Sequence, residues 1–324
     1  AERRQAKHDI QHVEDIVIEM LRNARDAGAD KVYLATTKED GVRTLVFLDN
    51  GSGVPQDMQE RIFDARVTSK LESMKMDRWG VHGRGMALFS IKQNTDEARV
   101  VASDVDLGSV FKVSVATDRL GERADQSSWP QAVKDEDGHY VCARGPHNII
   151  RAACEFALEE LRACDVYLGS PSEIAATLHA QASSRLDASR LLFIDDEAEL
   201  PVVDRLGLAS DAEDFIRICS GLGLEMSERT AHRILAGQIK PVRGVTARLL
   251  RERDSSSHAS APVDLAKDRR GLRIAKDDMA QFSRAVERDF NDLAARYYLN
   301  LCGDPKIRVS RDRITVTFDL AKEE

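Results

Sequence analysis

Apolar residues recur at helical spacing near the start of the chain, where Val13, Ile16, Val17, Met20, Leu21 and Ala24 define one stripe that a helix would bury. The helix is expected to stop at Ala27-Gly28-Ala29-Asp30, because glycine tolerates the backbone of a helix C-terminus. Residues 32–35 and 44–48 read as strands, the second running into the turn Asp49-Asn-Gly-Ser-Gly53. Beyond it the pattern predicts a short helix over residues 55–63, a polar irregular segment over 68–78 and a helix over 85–93. Antiparallel strands are expected at 98–102 and 109–117, then a long loop or irregular hairpin over the polar stretch 118–146. A helix over 149–161 and a strand over 165–168 follow.

From Asp211 onward the pattern turns helical, with helices expected at 214–220, 227–235 and 242–251, separated by Gly221-Leu-Gly223 and Gly237-Gln-Ile-Lys-Pro241. The run Ser255-Ser-Ser257 marks a linker, and a long helix at 277–298 and a terminal strand at 307–318 complete the chain. Helices alternating with mostly antiparallel strands predict an α+β sandwich rather than a doubly wound parallel sheet. The expected organisation is a first domain over 1–170, a helical domain over 171–254, a linker at 255–262 and a C-terminal helix and strand over 263–324.

Composition narrows the class. With 324 residues, two packed units are expected; 42% hydrophobic and 31% charged residues are ordinary globular chemistry. No run of about 18 apolar residues and no apolar signal core are seen, so a soluble, cytoplasmic protein without membrane association is expected. Cys142, Cys154, Cys164, Cys219 and Cys302 are scattered, without CxxC spacing, which indicates neither a disulfide framework nor a zinc site. A formal net charge of −8 argues against a surface that binds nucleic acid everywhere, while leaving room for a local basic patch.

Three polar constellations carry the candidate chemistry. Glu19, Asn23 and Asp26 fall along one face of the first helix, beside its apolar stripe. Alone, such a line is a solvated face. It is followed by Asp49-Asn-Gly-Ser-Gly53, where an aspartate leaves a strand and glycines let backbone approach closely, and by Gly80-Val-His-Gly83-Arg-Gly85, which opens a helix whose free N–H groups suit phosphate. A carboxylate can take a proton from water, and a neutral amide can hold a metal without competing charge.

In this order and spacing the three motifs resemble the GHKL family of gyrase, MutL, ninety-kilodalton chaperones and histidine kinases. Glu19-Met-Leu-Arg-Asn23-Ala-Arg-Asp26-Ala-Gly-Ala is similar to that family's first box, Asp49-Asn-Gly-Ser-Gly53-Val-Pro to its second, and Gly80-Val-His-Gly-Arg-Gly85-Met to its third. The resemblance covers roughly residues 10–120 and implies a Bergerat-type ATP-binding sandwich, with ATP and Mg²⁺ as ligands. It implies that Glu19 is the general base, Asn23 the ligand holding Mg²⁺ against the phosphates, and Asp49 the acceptor of the adenine amino group. Asp26 belongs to the same nucleotide site; Gly51 and Gly53 would leave room for the base, and Gly83 and Gly85 would present N–H groups to the phosphates. His82, Arg84 and Met86 fall in the third box. Arg84 is read either as added charge or as a solvated loop residue, and Lys70, in Thr68-Ser-Lys70, either as a phosphate contact or as a surface lysine.

The family offers several branches. About eighteen residues precede Glu19, too few for the phosphoacceptor helices of a kinase. The helical stretch from Phe215 to Val245 resembles the insert after the ATP domain of topoisomerase VI B subunits, but also fits a repressor-like helix-turn-helix with Arg243, Arg248, Arg251 and Arg253 as backbone contacts, or a plain helical bundle. The roughly sixty residues after the linker are too few for a transducer domain; Lys240, in Gly237-Gln-Ile-Lys-Pro241, resembles the switch lysine of the gyrase loop, although its surroundings read as helical. The expected activity is Mg²⁺-dependent ATP hydrolysis coupled to dimerisation, or to a partner chain, in DNA topology or repair, with DNA as a further partner. The alternatives are an ATP-sensing module without turnover, a chaperone and a kinase.

Overall fold

The computed structural model describes residues 10–65, 67, 75–77, 80–82, 86–186, 194, 196–250, 282–283, 286–287, 290, 299–301, 305–309 and 314–322. The chain forms two compact units, Ala1–Ser256 and Ser257–Glu324. The first contains, in chain order, α1 (Val13–Asp26), β1 (Lys31–Glu39), β2 (Val42–Asp49), a hairpin of β3 (Lys75–Asp77) and β4 (Gly80–His82), α2 (Ala87–Asn94), β5 (Glu97–Ser103) and β6 (Ser109–Ala116). A hairpin of β7 (Gln131–Lys134) and β8 (Tyr140–Arg144), then α3 (Ile149–Glu159), β9 (Asp165–Gly169), α4 (Pro171–Arg185), α5 (Ala212–Gly221) and α6 (Glu228–Leu235) follow.

A five-stranded sheet in the order β5-β6-β2-β1-β9 forms the centre. Its pairs are antiparallel except β1 with β9, which run parallel because the chain returns through α3. The expected α+β arrangement on a mixed, mostly antiparallel sheet is therefore observed.

Side chains alternate across this sheet with a period of two, and both sets are apolar. Val32, Leu34, Leu45, Phe47, Phe111, Val113, Val166 and Leu168 pack with α1, α2 and α3, whereas Tyr33, Ala35, Val46, Leu48 and Val110 pack with α4, α5 and α6. The sheet is thus covered on both faces, and the helices beyond residue 170 share its core. The segment after α6 crosses the outer edge of β9: Ile239 and Val242 pack on the second core, Val245 and Leu249 on the first. Val242 N–H donates to Thr177 Oγ1 at 2.9 Å, and the Arg248 guanidinium stacks 3.9 Å from the Trp129 ring centre.

Local chemistry explains the helix starts. Asp15 Oδ2 accepts the backbone N–H groups of Gln11 and His12 at 2.8 Å each, Asn148 caps α3 by accepting Arg151 N–H at 2.8 Å, and Ser170 with Glu173 forms a capping box around Pro171. α4 has no counterpart among the elements predicted from patterning. Its buried face is alanine-rich, with Ile174 and Leu178 as its only large buried apolar side chains, so its apolar stripe is faint.

Three segments differ from expectation. Residues 55–63 form two 3₁₀ turns, Gln56–Met58 and Arg61–Phe63, because only Phe63 is buried and no apolar stripe exists to hold a full helix. Within 68–78, residues 75–77 are a strand of a hairpin rather than irregular. In the second unit, 307–318 is not one strand: β11 (Lys306–Val309) pairs antiparallel with β12 (Ile314–Thr317), the polar run Ser310-Arg-Asp-Arg313 separating two β-branched stretches. There β10 (Leu299–Leu301) also pairs with β13 (Leu320–Lys322), and Phe290 stacks on Phe318 at 4.1 Å. Most of the expected helix at 277–298 lies outside the described residues; residues 282, 283, 286, 287 and 290 are helical.

Because the second-face helices complete the sheet's core, Phe215→Ala, at a fully buried position, should lower the stability of the whole first unit by about 3–5 kcal/mol in one cooperative step. Urea unfolding followed by sheet-sensitive and helix-sensitive signals checks this; separate transitions would show independent folding.

Candidate nucleotide-binding site

The site begins with a carboxylate at the end of a strand. Alternation along β2 puts Asp49 on the same face as Leu45 and Phe47, toward α1, and pairing with β6 sets it opposite Ser109. Asp49 is 4% exposed. The Ser109 hydroxyl donates to Oδ2 through a short hydrogen bond, and Gly51 N–H donates to Oδ1 at 2.8 Å. Burial disfavours the charged form and pushes the carboxyl up to about 6, against the opposing pull of Ser109 and Gly51.

The turn after Asp49 is fastened to the end of α1. Ser52 N–H donates to Ala27 O at 2.9 Å. The Asn50 side chain accepts from Lys31 N–H at 2.9 Å and donates to Asp30 Oδ1 at 2.7 Å. Glycine is required here by close approach. A Cβ on Gly51 would lie 2.9 Å from Ala27 O and from Asp49 Oδ1, and one on Gly53 (φ +68°) would lie 1.8 Å from Asp104 O. On Gly108 (φ +77°) it would lie 2.1 Å from Asp49 O. The nearest atoms at Gly51 belong to Ala27 and to the Asp49 side chain, and those at Gly53 to the backbone of Asp104 and Gly108.

The α1 motif residues lie on the helix whose C-terminal end is fastened to this turn. Arg22 donates to Glu19 Oε1 at 2.8 Å, orienting a carboxylate that is 20% exposed. Asn23 lies one turn further on, and its Nδ2 is buried without an acceptor among the described residues. Asp26 accepts from Arg25 Nε at 3.1 Å, while Arg25 also reaches Glu160 Oε1 at 3.1 Å, tying the helix end to the turn after α3. The first and second motifs therefore meet where Ala27 carries Ser52 and contacts Gly51.

Of the third motif, His82 ends β4, and Met86 is the N-cap residue of α2, its carbonyl accepting Ser90 N–H at 2.8 Å. Leu88 and Ile91 anchor α2 to the core that also buries α1. Lys70, Gly83, Arg84 and Gly85 lie outside the described residues, as do Arg251 and Arg253. Lys240 is exposed, and its neighbours Ile239 and Val242 pack on the sheet face opposite α1, so its local packing does not direct it toward Asp49. Ser109 and Gly108 are site residues that sequence reasoning missed. The signal was present: pairing residues 44–49 with 109–117 in antiparallel register sets a Gly-Ser step beside Asp49.

These residues fit a nucleotide better than a metal alone. Among the described residues there is no group of three or more His, Cys, Asp or Glu able to hold an ion. One amide oxygen, from Asn23, is compatible with Mg²⁺, which commonly completes its shell with waters and substrate phosphates. The orphaned Asn23 donor and the buried Asp49 acceptor are the polar atoms that a ligand would satisfy.

Residues 10–103 match the family described as histidine kinase-, DNA gyrase B-, and HSP90-like ATPase. With the sheet and the meeting of the first two motifs, this makes the N-terminal region a GHKL-type ATP-binding domain. The DNA mismatch repair protein MutL of Thermodesulfovibrio yellowstonii is 33% identical over 98 residues, covering 29% of this chain and 18% of that protein. MutL of Pediococcus pentosaceus is 30% identical over 115 residues, 35% of this chain and 17% of its own length. MutL of Staphylococcus aureus is 28% identical over 122 residues, with shares of 35% and 18%. The chain spans less than a fifth of the length of these relatives. No helix among the described residues is long and apolar enough to cross a membrane.

Two outcomes test the site. The folded state holds the Asp49 proton to higher pH than the unfolded chain does, so this group's stabilising contribution is present below about pH 4 and is lost as pH rises through about 6. Asp49→Asn should therefore gain about 3 kcal/mol relative to the parent protein between those limits and nothing further above them, as read by urea unfolding across pH. Gly108→Ala, forced against Asp49 O in a left-handed conformation, should cost more than about 1 kcal/mol in the same assay.

Proposed function

We propose that this chain binds ATP with Mg²⁺ at the Asp49 corner and hydrolyses it slowly, using the bound state to switch contacts with a second copy or a partner chain in DNA-linked work. The observation carrying this reading is the buried Asp49 carboxylate, held by Ser109 and Gly51 against the end of the helix that bears Glu19 and Asn23. Ionised Asp49 is acceptor-only and suits the donor amino group of adenine; a guanine would present a carbonyl there and leave two acceptors facing each other. Glu19, oriented by Arg22, takes the proton of the attacking water, and the Asn23 amide meets the phosphates and their ion. Mg²⁺, when bound, neutralises developing charge on the phosphate oxygens. Water adds to the terminal phosphorus and the bond to the β-bridging oxygen breaks, leaving ADP and inorganic phosphate.

The similarity to proteins named DNA mismatch repair protein MutL supports the DNA-repair part of this proposal. A second reading, an ATP sensor without useful turnover, is favoured by the packing of Ile239 and Val242, the neighbours of the exposed Lys240, on the sheet face opposite α1, which leaves no described lysine assigned to the terminal phosphate. ATP drives a switch only through different affinity for the two states.

Turnover and binding separate the readings. Asp49→Ala should weaken adenine nucleotide binding by about tenfold to a hundredfold, and the parent's affinity should fall as pH drops below about 6 while Asp49 takes up its proton. Glu19→Ala should retain binding within about threefold and lose turnover by about a hundredfold or more. Asn23→Ala should lose the Mg²⁺ dependence of binding. Titration with a fluorescent ATP analogue and a phosphate-release assay check these; binding without turnover in the parent protein selects the sensor, and no binding overturns both readings.

A further inference from the structure

We infer that the exposed face of α6 and the turn after it form a docking surface for the phosphate backbone of duplex DNA, with Arg229, Arg233, Lys240 and Arg243 as the contacts. This deepens the DNA-linked part of the proposed function, and it requires no ATP turnover.

Charge is segregated here. The chain has a formal net charge of −8, yet no Asp or Glu occurs between Glu228 and Glu252, where Arg229, Arg233, Lys240, Arg243 and Arg248 fall. Elsewhere the described arginines are largely neutralised by acids: Arg22 by Glu19, Arg43 by Glu122, Arg119 by Asp96, Arg151 by Glu155, Arg185 by Asp204 and Arg217 by Glu197. Among the described residues, Arg229, Arg233, Lys240 and Arg243 form no such pair, and all four are exposed. Arg248 is engaged by Trp129 and is not counted among the proposed contacts.

The geometry joins these charges. Arg229 and Arg233 are four residues apart on α6, so they share one face, and with His232 and Gln238 they line a shallow open depression of about 580 Å³. Glu228 lies at its edge, 3.7 Å from His232, which offsets part of the charge. The turn is held to the helix end, since Gln238 and Ile239 N–H groups both donate to Arg233 O at 2.9 and 3.2 Å, and Lys240 and Arg243 follow directly.

The composition selects the partner. Guanidinium groups bind phosphate oxygens in a bidentate fork, and a row of them releases counterions from a polyanion. Residues 225–250 contain no Phe, Tyr or Trp, so the stacking that single-stranded nucleic acid uses is missing from this surface. Of the apolar side chains of this segment, Ile234, Val245 and Leu249 are buried in the core and no large one is among the exposed residues, so little is offered for insertion between lipids.

The test uses the full chain and a labelled duplex of about 30 base pairs of arbitrary sequence, with anisotropy read over a salt series. The double variants Arg229→Glu/Arg233→Glu and Lys240→Glu/Arg243→Glu should each bind at least about tenfold more weakly, with a log–log salt slope shallower by about two. Arg99→Glu, at an exposed position of the edge strand β5, serves as the control and should bind as the parent does. Retained binding of a fluorescent ATP analogue shows that the double variants are folded. The inference falls if the double variants bind duplex like the parent, if the parent does not bind at low salt, or if it prefers single strands or phosphatidylserine vesicles. Loss of ATP binding by the parent, with the duplex results intact, overturns the nucleotide reading and leaves this one standing.

Discussion

A carboxylate taken out of water is the constraint on which this domain turns. Asp49 sits at the junction of a strand end, a tight turn and a helix end, and each neighbour is shaped by holding it: Ser109 donates to one oxygen, Gly51 to the other, and Gly108 lies against its carbonyl. A buried charge is costly unless hydrogen-bonded, so the surrounding backbone must be placed closely and reproducibly. The glycines around it have the same origin. They allow the helix end, the turn and the β5–β6 connection to approach where any side chain would collide.

The local elements of this corner were legible in sequence because they obey short-range rules. The α1 stripe has a clean helical period, Gly28 ends it with φ +75°, and the apolar run into Asp49-Asn-Gly-Ser-Gly53 reads as a strand and turn. Glu19, Asn23 and Asp49 follow from motif order, and the structure brings the elements that carry them together through the Ser52–Ala27 hydrogen bond. Ser109 escaped because its role is set by register with β2, a long-range fact that one strand's pattern does not contain. The α4 helix escaped for another reason. Its alanine-rich face carries little hydrophobic contrast, although Ser170-Pro-Ser-Glu173 had the chemistry of a helix start.

The second layer of helices changes what the sheet is for. A strand with one face to water would alternate apolar and polar side chains, but β1 and β2 are apolar on both sides, and their second set of side chains meets α4 and α5. The helices beyond residue 170 therefore contribute directly to the rigidity of the strand that ends in Asp49. Tyr33 stacked on Tyr167 at 4.8 Å and bonded to Gln181 at 2.6 Å shows the same coupling between the parallel strand pair and α4.

The passage of residues 239–250 around β9 bears on how such domains could assemble. A Cβ on Gly244 would stand 3.6 Å from Val166 O, so this edge of the sheet is already shielded by the chain itself. At the other edge, β5 is kinked by a register shift between Val100 and Ala102, and Gln59 is bonded to Ser103 O at 2.9 Å. Exposed, straight edges are what let two sheets fuse into one, and bulged or covered ones resist it. Any pairing of two copies would therefore be carried by side chains of helices and loops rather than by a continuous ladder of main-chain bonds, leaving it open to reversal when the contents of the Asp49 corner change.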